Sequence, residues 1–99
     1  MRAAVALLFL VFGYPSLAHE APTGWTYDVS CCSTMDCREV PNSWVDEQAS
    51  GITMRPTGEL IPTGSHKIRQ SKDDRWHWCT RSGKDDTPTI CIYRPLRGF

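Results

Sequence analysis

The chain opens on an unbroken apolar run, Ala3 to Phe12, preceded by Arg2 and broken by Gly13 and Pro15. A run of this length makes only about 15 Å of helix, well short of a bilayer core of about 30 Å. Ser16 and Ala18 then place small residues at the two positions a signal peptidase reads. Residues 1–18 therefore read as a secretory signal peptide cut between Ala18 and His19. Residues 19–99 are left as one small domain with no stable membrane insertion after cleavage. No cysteine stands at the cut (the first is Cys31), which argues against a lipoprotein anchor.

Beyond the leader the pattern changes to short alternating stretches separated by turn residues. Trp25-Thr26-Tyr27 reads as a short strand with both rings on one face. Ile52 to Arg55, Pro56-Thr57-Gly58 and Glu59-Leu60-Ile61 read as strand, turn, strand. After the turn Pro62-Thr63-Gly64, His66 to Arg69 reads as another strand. Pro22-Thr23-Gly24 repeats the tripeptide, but the uneven spacing marks turn chemistry and no repeat architecture. In Trp76-His77-Trp78-Cys79 the period of two puts the tryptophans on one face and His77 with Cys79 on the other. Thr89 to Tyr93 is the clearest strand, with Ile90 and Ile92 sharing a face. One short helix is expected between Ser43 as N-cap and Gly51 as terminator, over Trp44 to Ala49; a strand is the alternative there. The fold class is a small, mostly antiparallel β-rich domain stabilised by disulfides, with α+β as the alternative.

Charge changes the picture by exclusion. Lys+Arg and Asp+Glu both number 11, and the leader carries only Arg2, so the mature chain has one net negative charge. Nothing draws it toward phosphate backbones, and no nucleic-acid partner is expected. The size excludes a multi-domain enzyme. No Gly-x-Ser-x-Gly, Gly-rich phosphate loop or His-Glu-x-x-His occurs, so no catalytic residue is assigned and a non-enzyme is expected.

Five cysteines in an exported chain imply disulfides, which so small a core needs. Cys79 and Cys91 are the favoured pair, because a hairpin of the last two strands sets them opposite each other. Cys31, Cys32 and Cys37 then leave one thiol over, and spacing does not choose among the connectivities. That thiol allows a disulfide-linked homodimer or a redox site, although the spacing matches neither Cys-x-x-Cys nor a zinc knuckle. A mature chain starting at His19 would offer an α-amine and an imidazole to Cu(II), with His66 or His77 as a further ligand. Asp73-Asp74 and Asp85-Asp86 lack the ligand spacing of a calcium loop and read as solvated turns. Of the four tryptophans most must be core; Trp25, Tyr27 and Trp76 are the candidate binding aromatics.

Trp25-Thr26-Tyr27-Asp28, followed by Cys31-Cys32-Ser33 and Asp36-Cys37, resembles a group of small exported proteins of α-proteobacteria and their phages with a Cys-Cys-Ser-x-x-Asp-Cys signature. Ile61-Pro62, the Ser71 to Arg75 turn, His77 with Cys79, and Cys91 to Pro95 are similar to that group's later motifs. Here Pro22-Thr23-Gly24 lengthens the arm ahead of the signature. The resemblance implies bacterial export and transfers no catalytic residue. The expectation is a periplasmic or secreted, non-enzymatic binding or accessory protein that contacts an envelope protein or a cell-wall component. A copper-binding protein and a thiol-redox protein are the alternatives.

Overall fold

A computed structural model describes residues 20–32 and 35–96. The expected signal peptide of residues 1–18, the expected cleavage point and His19 lie outside the described residues. Seven strands form among the described residues: β1 (Cys37–Val40), β2 (Val45–Gln48), β3 (Gly51–Met54), β4 (Glu59–Pro62), β5 (Ile68–Gln70), β6 (Trp76–Thr80) and β7 (Thr89–Arg94). They make a four-stranded sheet in the order β1-β6-β7-β5 and a three-stranded sheet in the order β2-β3-β4. All pairings are antiparallel except β5 with β7. The protein is thus the small, strand-rich, disulfide-held domain that its alternation implies.

The local reasons are legible strand by strand. Gly58 follows β3 at φ +76° and closes the Pro56-Thr57-Gly58 turn, where a side chain would be strained. Gly51 has no room for a side chain either, since a Cβ there would land on the carbonyl oxygen of Ile61 in β4. The expected helix after Ser43 does not form. One 3-10 turn, Asn42–Trp44, has no side-chain cap and leads straight into β2. As a helix this stretch would have only Trp44, Val45 and Ala49 to bury. As a strand it pairs along its full length with β3 and buries Val45. Trp25 to Tyr27 makes only one isolated bridge, Glu20 with Thr26, because side chains rather than a ladder hold that segment.

The four-stranded sheet is covered on both faces, and every residue of β6 is buried. On one face Val40, Trp76, Trp78 and Ile92 pack against Val45, Ile52, Met54 and Ile61 of the smaller sheet. Each such side chain contributes on the order of 2 kcal/mol when fully buried. Arg38 lies 4.6 Å from the Trp78 ring centroid and donates to the carbonyl of Trp78 and the hydroxyl of Thr80. On the other face Cys37, Cys79, Cys91 and Tyr93 meet Ala21, Tyr27, Cys31 and Cys32 of the N-terminal segment. The register of β6 on β7 slips at Ile90, where Cys79 faces Cys91 but Thr80 faces Thr89. This extra residue turns Ile90 toward the cysteine face, away from the face that Ile92 occupies.

Candidate functional site

The turn before β6 places Asp73 at the rim of the cysteine face. Its Oδ1 accepts from Ser71 Oγ at 2.7 Å and from the Arg75 amide at 2.9 Å. Its Oδ2 accepts from Thr23 Oγ1 at 2.6 Å and Trp25 Nε1 at 2.9 Å. His77 Nε2 lies 2.8 and 3.0 Å from the two oxygens. Burial pushes this carboxyl up, but the hydrogen bonds from Thr23, Trp25, His77 and Ser71 outweigh it and hold Asp73 well below the usual carboxylate range. An ionised carboxylate only accepts, so His77 Nε2 is assigned as the donor.

The other ring nitrogen, Nδ1, is 2.8 Å from Tyr27 Oη. Burial first, then the neighbouring Cys32 and Asp73, raise Tyr27 far above the usual phenol range, so its hydroxyl keeps its proton and donates to Nδ1. Tyr27, His77 and Asp73 thus form one chain in which each donor meets an acceptor. Trp25 stands edge-on to Tyr27, His77 and Tyr93 at ring-centroid distances of 4.9, 5.0 and 5.3 Å. Tyr93 Oη accepts from the Asp28 amide, and Asp28 pairs with Arg69 at 2.7 Å. What this arrangement does is fasten the 20–32 segment onto the sheet.

Several expectations change accordingly. Tyr27 and Trp76 are buried and Trp25 is half-buried, so these three aromatics are interior packing and not a binding patch. His77 has both ring nitrogens engaged and is fully buried, which leaves it no lone pair to offer a metal, while His66 sits exposed on a turn. Among the described residues no group of three His, Cys, Asp or Glu is arranged to hold a metal ion. Asp73 is not a solvated turn residue; its side chain is 10 % exposed.

The favoured Cys79–Cys91 bridge is also corrected. Those residues do face each other across β6 and β7, but the disulfides are Cys37–Cys79 and Cys31–Cys91. The reason is β1, a strand whose Arg38-Glu39 centre hid it in the sequence: it sets Cys37 opposite Cys79 from the other side. Cys91 is then met by Cys31 from the covering segment. Cys32 is the odd cysteine, a fully buried thiol whose Sγ lies 3.3 Å from the Cys37 amide nitrogen. Buried there, it is out of reach of a second chain unless the segment lifts.

At the start of β4 an open recess of about 250 Å³ is lined by Thr57, Glu59, Asp86, Thr87 and Pro88. Of its two carboxylates, Glu59 and Asp86, that of Glu59 is fixed by Thr89. Trp78 Nε1 donates to Thr89 Oγ1 at 2.7 Å, which donates to Glu59 Oε1 at 2.6 Å, and the Thr89 amide adds a third bond at 3.0 Å. Lys67 Nζ stands 4.0 Å from Glu59 Oε2. The Thr87 hydroxyl is buried without a hydrogen-bond partner among the described residues. Neither Glu59 nor the 86–88 loop was a site candidate from sequence. They are nearly thirty residues apart, and only the bulge at Ile90 turns Thr89 toward Glu59.

The fold defines a class, a small strand-rich domain crosslinked by two disulfides around a doubly covered sheet. Comparison with models of protein families, with curated protein sequences and with solved structures finds no match.

Proposed function

We propose that this chain is an exported, non-enzymatic binding module of the cell envelope, and that it recognises its partner at the Glu59 recess. The observation that carries the reading is the fixed carboxylate: Glu59 Oε1 is held by two bonds from Thr89, itself backed by the Trp78 indole. A preorganised acceptor at the edge of an open recess suits a hydrogen-bond-donating, cationic group, such as an amine of a wall peptide or a lysine of an envelope protein. The two disulfides support export, because such bonds persist in oxidising compartments. The Tyr27–His77–Asp73 chain, by contrast, is consumed internally and supports a scaffold role.

Amide chemical-shift mapping of the mature protein tests the reading. The probes are a wall-derived peptide with a free side-chain amine and the same peptide with that amine acetylated. The expected result is saturable shifts at Thr87 and Thr89 with the free amine only, lost in Glu59→Gln. Shifts that are absent, or equal for both peptides, would overturn it.

A further inference from the structure

We propose that the five cysteines form an internal exchange relay that can trade the two long-range disulfides for two local ones, unlatching the N-terminal segment from the sheet without any oxidant or reductant. The carrying observation is that Cys37, Cys79 and Cys91 stand side by side in one register row across β1, β6 and β7. Cys79 therefore faces both neighbours at the cross-strand spacing from which a disulfide can form. Cys37 is bonded to Cys79, and its amide nitrogen lies 3.3 Å from Cys32 Sγ, which places the Cys32 sulfur beside the Cys37 backbone.

The steps balance. Cys32, which is buried and so loses its proton to solvent base only when the covering segment opens locally, attacks Cys37 Sγ; the Cys32–Cys37 bond forms, the Cys37–Cys79 bond breaks, and Cys79 leaves as thiolate. Cys79 then attacks Cys91 Sγ; the Cys79–Cys91 bond forms, the Cys31–Cys91 bond breaks, and Cys31 leaves as thiolate and takes a proton. Two disulfides and one thiol are present before and after. Direct attack of Cys32 on Cys31 is disfavoured, since it would close a strained vicinal ring.

The consequence is topological. The present bridges span 60 and 42 residues and both tie the segment up to Cys37 onto β6 and β7. The exchanged bridges would span 5 and 12 residues, one inside the segment and one inside the β6–β7 hairpin. The segment would then be held by the Asp73 and His77 hydrogen bonds, the bond from the Asp28 amide to Tyr93, the Asp28–Arg69 ion pair and its packing.

Trypsin reads this directly. No Lys or Arg lies between Arg2 and Arg38, so Cys31, Cys32 and Cys37 share one peptide, while Cys79 and Cys91 fall in two others. The mature protein is incubated without reductant at pH about 6 and about 9, blocked with N-ethylmaleimide, digested and weighed without reduction. In the present pairing all three peptides travel together. Exchange is expected to release the N-terminal peptide, carrying one internal disulfide and one blocked thiol, and to leave the other two joined. Release should be at least about tenfold faster at pH 9, because the thiolate is the attacker, and independent of protein concentration. Cys32→Ser and Cys32→Ala should abolish it. Three peptides that stay joined in the wild type at both pH values would overturn the relay, as would equal release from Cys32→Ser or a rate that rises with protein concentration.

Discussion

On one face of the four-stranded sheet, Trp76, Trp78 and Ile92 are buried by contact with Ile52, Met54 and Ile61. On the other face the same strands present His77, Cys79, Cys91 and Tyr93, and a segment with little regular structure buries them. The first face is covered by a sheet whose own ladder satisfies its backbone, so apolar contact suffices. The second is covered by a chain with a single isolated bridge, so it must be tied down by directional and covalent links. The comparison teaches that a small domain can bury polar chemistry when every donor is matched and crosslinks limit the freedom of the unfolded chain.

The largest break in that comparison should come from the crosslinks. Replacing Cys31 and Cys37 by serine removes both bridges, each contributing about 4 kcal/mol for loops of this length. Together that exceeds what a domain of this size retains. Loss of near-ultraviolet circular dichroism at 25 °C is the expected reading, and a folded double variant would show that the cysteine face stands without them. Next, Trp78→Ala in the apolar face should cost about 4 kcal/mol in urea unfolding, through the cavity and the lost bond to Thr89.

Asp73→Asn should cost about 3 kcal/mol, because an amide turns a donor toward donors that the carboxylate accepted. It should also change the pH dependence. The folded carboxyl titrates below its unfolded value of 3.8, so its stabilisation is complete above that value and fades as pH falls toward the folded one. Wild-type melting temperature should therefore drop below pH 4 more steeply than that of the variant; parallel curves would remove Asp73 from the account. The smallest effect belongs to Thr87→Val. Its hydroxyl is buried without a partner among the described residues, so the change should be neutral or stabilising by up to about 1 kcal/mol. A loss of stability would mean that the hydroxyl is used.

Much of this contrast was legible in the sequence. Alternation located β3, β4, β6 and β7, and the period of two separated Trp76 and Trp78 from His77 and Cys79 onto the faces they occupy. β1 was not legible, since its middle residues are charged: Arg38 reaches over Trp78 and Glu39 pairs with Arg75 at 2.5 Å. The site was less legible still. Asp73 looked like any other acidic turn residue, and nothing local announces that Thr23 and Trp25, far away in the chain, join the nearby Ser71, Arg75 amide and His77 as its donors.

By itself the sequence determined a strand-rich domain short of core and dependent on cysteines, because period-two alternation and turn residues act over a few positions. Which cysteines bond, which carboxylate is buried and which lines an open recess were decided by tertiary structure alone. Those outcomes depend on strand neighbours tens of residues apart, on a one-residue slip at Ile90, and on a covering segment held by side chains that no local pattern records.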